Sequence, residues 1–232
     1  MHFVIERGLK KIVVIPTIHE RFNCTYTSDR LCEFIKKNNP DVVFLELPID
    51  FNLDYFNEHP ECYGQEMSAI IKAKNEKEFE VKPVEIPFRN EIKNKLEIDI
   101  NVNNNEEILE NERKINIKLH KTLCKIEFIE SQLDKLTTNA DIPVFTSKRY
   151  IKLVKKINGL WIKIETIVSD NIYLQYQRIF NNDIRENIIC LNCIKYMKEY
   201  NSAILLIGAS HINIVKRMRK INKDKTLSIN WV

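Results

Sequence analysis

IVVI at residues 12–15, SDRLCEFIKKN at 28–38 and VVFL at 42–45 decide the fold. Both four-residue runs are rich in β-branched residues and Leu and lack the polar alternation of a half-exposed strand. Each therefore reads as a strand covered on both faces. Ser28–Asn38 places Leu31, Phe34 and Ile35 at helical spacing, and Pro40 closes it. Strand, eleven-residue helix and strand in succession predict the α/β class. A third buried run, Ile204–Ile207, and a weaker candidate at Phe79–Ile86 extend the set. The expected architecture is a mixed, largely parallel central sheet flanked by helices, with Thr226–Val232 as a final edge strand.

Between the strands the pattern turns helical, at about Phe51–Glu58 and Glu61–Lys77. Beyond an Asn-rich break at Asn101–Asn105 the texture changes. Ile108, Ile115, Leu119, Leu123, Ile126, Ile129, Leu133 and Leu136 recur at gaps of three, four or seven within a charged stretch. That spacing predicts a long amphipathic helix over Glu106–Leu136 with a narrow apolar seam, which needs a partner helix. Tyr150–Phe180 supplies one within the chain; a homodimer through residues 106–136 is the other arrangement the seam admits. Residues 101–180 thus form a helical arm inserted in a single domain spanning 1–232. Asp183 and Glu186 have capping-box spacing ahead of a further helix.

Composition excludes several classes. The 232 residues carry 36 Lys and Arg against 32 Asp and Glu, a net charge of +4 spread along the chain, which is far from a nucleic-acid stripe. Four glycines leave no Gly-rich phosphate loop. No apolar run approaches the roughly 18–20 residues that a bilayer demands, and the first residues lack a signal core, so a cytoplasmic protein without membrane contact is expected. Six cysteines then read as free thiols, and Cys190 and Cys193, three apart on a helix, read as small buried hydrophobes.

Chemistry concentrates at strand ends. His19 and His211 each lie four residues past the last Ile of a buried strand, and the remaining run, VVFL, ends in Glu46. In open α/β sheets ligands gather beyond the carboxyl ends of the strands. Two imidazoles and a carboxylate at one such rim suit a divalent metal such as Mn, Fe, Co or Zn. Read singly, each residue is a turn histidine or a solvated carboxylate. Arg89 follows the fourth strand candidate. Arg185 lies in the first turn of its helix, where a cation opposes the dipole and calls for an anion, either a substrate carboxylate or Glu46 itself.

Taken in order, Thr17-Ile18-His19, PDVVFLELP at 40–48, Arg89, Arg185-Glu186-Asn187 and ILLIGASHI at 204–212 resemble the TraB domain family. That family includes PrgY pheromone-shutdown, GumN-like and TIKI proteins. The resemblance covers roughly residues 11–89 and 183–216. It implies a metal-dependent hydrolase of the TIKI kind acting on a peptide or small amide, with Mn or Co. His19, His211 and Glu46 would hold the ion, Arg89 and Arg185 would bind a substrate carboxylate or an oxyanion, and Glu20 is a spare base. Pro16 stands where the family has Gly, and Phe88 where relatives often have Asp. These two departures favour the other reading that the scaffold permits, a non-catalytic protein that sequesters a peptide or small ligand.

Overall fold

Five strands, β1 (Lys10–Thr17), β2 (Val42–Pro48), β3 (Glu80–Glu85), β4 (Ser202–Gly208) and β5 (Leu227–Trp231), make one sheet in the order β3-β2-β4-β1-β5. The structure is a computed structural model that describes residues 10–17, 28–59, 64–96, 100–138, 140–168, 172–224 and 226–232. Every strand pairing is parallel, so the sheet expected to be mixed is wholly parallel among the described residues.

The continuous apolar runs are explained by what covers the sheet. Successive side chains in a strand point to opposite faces. Ile12, Val14, Val42, Phe44 and Leu205 join one core, packed under α10 (Arg185–Tyr196) and α11 (Ile214–Ile221). Val13, Ile15, Val43, Leu45 and Leu206 join the other, under α1 (Ser28–Asn38) and α3 (Gln65–Lys74). Cys190 and Cys193 are fully buried in the first core, and burial pushes the Cys190 thiol up to about 12. They are packing residues, as their spacing suggested. Asn39, at φ 42°, ends α1 in the left-handed region that Asn tolerates, and its N–H bonds to Ile35 O at 3.1 Å.

Strand order fixes where a ligand can sit. From β2 the chain passes through α2 (Tyr55–Glu58) and α3 outward to β3, which α4 (Arg89–Lys95) follows. From β4 it passes through α11 across β1 to β5, on the opposite side. Connections leaving in opposite directions part between β2 and β4, and a crevice opens at the carboxyl ends of strands at such a switch point. Glu46 and the segment Gly208–His211 lie there.

The arm differs from its sequence reading in several places: the Asn101–Asn105 stretch, expected as a break, is helical, and Tyr150–Phe180, expected as one helical segment, is divided. The expected single helix over Glu106–Leu136 is two, α5 (Ile100–Ile115) and α6 (Ile117–Thr137). Asn116 accepts the N–H groups of Lys118 and Leu119, both at 3.1 Å, and so starts α6 afresh. The seam holds along α6, where Leu119, Leu123, Ile126 and Ile129 are buried, and α8 (Lys148–Ile167) packs against it within the chain. Upstream of the break the phase is lost: Ile108 and Ile115 are exposed and Leu109 is buried instead.

A short α7 (Ile142–Phe145) rests on β1, and Tyr150 of α8 donates to Ala209 O at 3.4 Å, fastening the arm beside the β4 exit. Beyond α8, α9 (Ile172–Arg178) runs directly into a π-helical turn, Ile179–Ile184, and then into α10. The Arg185 N–H bonds to Phe180 O, five residues back. Asp183 is therefore inside a continuous helix and caps nothing, and the capping box read from its spacing with Glu186 does not form. Among the described residues no helix is long and apolar enough to cross a membrane.

Candidate active site

Glu46 leaves β2 where its pairing with β3 shifts register, between Leu45 and Pro48. An irregularity of this kind re-aims a side chain at the end of a strand. One carboxylate oxygen accepts the Gly208 N–H at 2.8 Å, which joins the exits of β2 and β4. The other lies 3.2 Å from His211 Nε2 and accepts from Arg185 Nη2 at 2.8 Å. On the far side of the imidazole, Nδ1 lies 3.0 Å from Glu186 Oε1. The backbone places His211 firmly: its N–H bonds to Gly208 O, while the Ala209 N–H bonds to Thr17 O at the end of β1.

The contacts continue in both directions. Arg185 Nε donates to Glu85 at the end of β3, whose second oxygen accepts from Arg89 Nη1 at 3.0 Å. Arg217 of α11 lies 2.6 Å from the second oxygen of Glu186 and donates to Asp183 at 2.8 Å. Arg178 reaches Asp183 at 3.5 Å and donates to Glu165 of α8 at 2.8 Å. The result is one alternating ladder, Glu165, Arg178, Asp183, Arg217, Glu186, His211, Glu46, Arg185, Glu85 and Arg89. It runs from the arm to the sheet edge.

Its charge sum explains the state of the histidine. Five carboxylates face four guanidinium groups, so the ladder is neutral only with His211 protonated. Burial opposes the charge on the imidazole, but the hydrogen bonds and charges of Glu186 and Glu46 outweigh it. Its pKa is pushed up from 6.5 to about 9. As imidazolium, His211 donates through both nitrogens.

That arrangement bears on the expected ion. Glu46 already accepts from a guanidinium, an imidazolium and a backbone N–H, and a divalent cation would add two charges to a neutral cluster. Among the described residues no three His, Cys, Asp or Glu side chains are placed to hold a metal. The described groups alone therefore do not fit a resident ion. His19 and Glu20 lie outside the described residues.

Of the other expected residues, Glu46, Arg89, Arg185 and His211 share the ladder. Arg185 has Glu46 as its anion, with Glu85 as a second. Because the π-helical turn leads into α10, Arg185 does not sit at an open helix end. Phe88, exposed at φ 54°, carries its N–H to the Asp50 carboxylate at 3.2 Å. Sequence reading missed Glu85, Glu165, Arg178 and Arg217 as members and took Asp183 and Glu186 for a capping box. Glu85 had a signal: it ends a strand candidate as Glu46 ends VVFL.

A cavity of about 500 Å³ opens beside the ladder, between the arm and the α10–α11 edge. Glu186, Arg217 and Ser210 reach its wall, whereas His211 lies behind Glu186. Comparison with models of known protein families, with curated proteins and with solved structures finds no match.

Proposed function

We propose that the chain is a hydrolase of the TraB kind acting on a peptide or small amide, with its reaction centre at the cavity edge of the ladder. The observation that supports it most is the His211 imidazole held between two carboxylates at the topological switch point of a parallel sheet, with one of them, Glu186, buried in the wall of a cavity. Glu186 takes a proton from water in the cavity and returns it to the leaving nitrogen. Arg217 faces the oxygen that becomes negative. His211 orients Glu186 and stabilises its charge, while Glu46 and Arg185 hold His211 from behind. The divalent ion that the resemblance implies would supply a polarised water and would require His19 besides these groups; the roles of Glu186 and Arg217 do not depend on it. We place this activity in the cytosol, where the thiols of Cys32, Cys124, Cys190 and Cys193 stay free.

The test is incubation with a library of short peptides and N-acyl amides, with added Mn or Co and separately with a chelator. Glu186→Gln is expected to lower the cleavage rate about 100-fold with the circular dichroism spectrum unchanged. A metal requirement would show as loss of cleavage in chelator and its return with Mn or Co. A library recovered intact in all conditions defeats the hydrolase reading. Ligand that is retained but uncut supports the second one, capture without cleavage. That reading draws on the pairing of every charged group of the cavity wall within the protein.

A further inference from the structure

The cavity joins two halves of the molecule. α5, α8 and α9 of the arm contribute Leu109, Trp161 and Leu174, and the turn before α11 contributes Ser210 and Asn213. Its volume lies in the range of small-ligand sites, of order 300–1,000 Å³.

What the wall offers a ligand is limited and specific. Its charged side chains are Glu165, Arg178, Asp183, Glu186 and Arg217, and each is ion-paired to another member of the ladder. A charged ligand entering here would lose hydration and find no unpaired counter-charge. Three half-buried carboxamides on the same wall, Asn158, Gln177 and Asn213, have no side-chain hydrogen bond among the described residues. Each presents both a donor and an acceptor, the pair that a peptide amide matches. Next to them Leu109 and Leu174 are buried, and Trp161 is partly buried against the same apolar cluster. This gives an apolar patch on which one branched or aromatic side chain can pack.

We infer that this cavity binds an uncharged amide carrying one bulky apolar side chain, with the side chain on Leu109, Trp161 and Leu174 and the amide groups on Asn158, Gln177 and Asn213. That such a ligand is also the substrate rests on the hydrolase reading; that it binds does not. The arm is then the specificity wall, and the ladder beneath it is neutral so that selection falls to dipoles and shape.

Calorimetric titration of the full chain with N-acetyl-leucinamide, N-acetyl-lysinamide and N-acetyl-glutamate tests this, and it reads binding whether or not cleavage follows. The leucine amide is expected to bind at least tenfold more tightly than either charged probe. Trp161→Ala is expected to weaken it about tenfold. Asn213→Asp is expected to weaken it too and to narrow the gap to the lysine amide. The inference is overturned if the charged probes bind as well as the leucine amide. It is also overturned if no probe binds, or if both variants, shown folded by their unfolding transitions, bind the leucine amide as wild type does. Binding without cleavage of any amide would leave this inference standing and remove the hydrolase reading; cleavage without this selectivity would do the reverse.

Discussion

Glu85→Gln is expected to lower the unfolding free energy by about 3–5 kcal/mol, the range for removing one partner of a buried ion pair. Glu85 is completely inaccessible to solvent and serves two guanidinium groups, Arg185 on one oxygen and Arg89 on the other. The amide keeps the shape but removes the only charge that faces Arg89 among the described contacts. Arg185 retains Glu46, so the loss should fall mainly on the β3 end of the ladder. Urea unfolding of wild type and variant measures it. Adding Arg89→Gln should recover part of the loss, because the second change removes the stranded cation. A double variant as unstable as the sum of the singles would deny the coupling, and a single variant within 1 kcal/mol of wild type would deny the burial argument altogether.

The second large effect depends on pH. His211 has a folded pKa of about 9 against 6.5 for the free side chain, so the folded state binds its proton more tightly than the unfolded state does. The resulting stabilisation is complete below about pH 6.5 and disappears as pH rises through 9. Its size is on the order of 3 kcal/mol. The groups that face the imidazole are Glu46 and Glu186, which in turn carry Arg185 and Arg217. The His211 contribution to urea midpoints measured from pH 6 to pH 9.5 should therefore fall between about pH 6.5 and 9 and level off above. In His211→Gln the fall between about pH 6.5 and 8 should be absent, whatever the variant's own starting stability; above that range the buried Cys190 and Cys193 thiols lower both proteins alike. Equal slopes in the two proteins would mean that His211 is not the titrating group.

The sheet was legible in the sequence because its causes are local. IVVI, VVFL and ILLI are covered on both faces, and that burial is written as unbroken apolar runs. Glu46 and His211 could be found for a related reason: a polar group directly after such a run, or in the turn that follows it, marks the strand exit. Asn116 was hidden because a cap inside a long amphipathic pattern interrupts it at a single residue. The apolar spacing itself runs on across the break.

Most of the ladder was hidden for a different reason. Asp183, Glu186 and Arg217 sit on helices where charged residues are commonplace, and only the packing of α10 against α11 and the arm turns them into neighbours. The capping box failed because spacing alone cannot distinguish a helix that begins from one that passes through a π turn. Glu85 lies between, with a strand-end position to point to it but no long apolar run ahead of it.

The π turn at Ile179–Ile184 has a consequence for how this chain tolerates change in length. A wide turn holds one residue more than the α-helical ladder needs, and each residue of an α-helix advances its neighbours by about 100° around the axis. Loss of a single residue there, Asn182 for instance, would let the helix close into ordinary α geometry from Ile172 to Tyr196. Because the wide turn takes up its extra residue within nearly the same total rotation, the segments on either side would keep their bearing relative to the sheet, and Arg178 and Asp183, four apart after the deletion, would still share a face. The turn is thus a place where this helix can lose a residue and keep its course, whereas a deletion inside α10, with no surplus to absorb it, would rotate the appendage by roughly 100° and uncouple the two halves of the molecule.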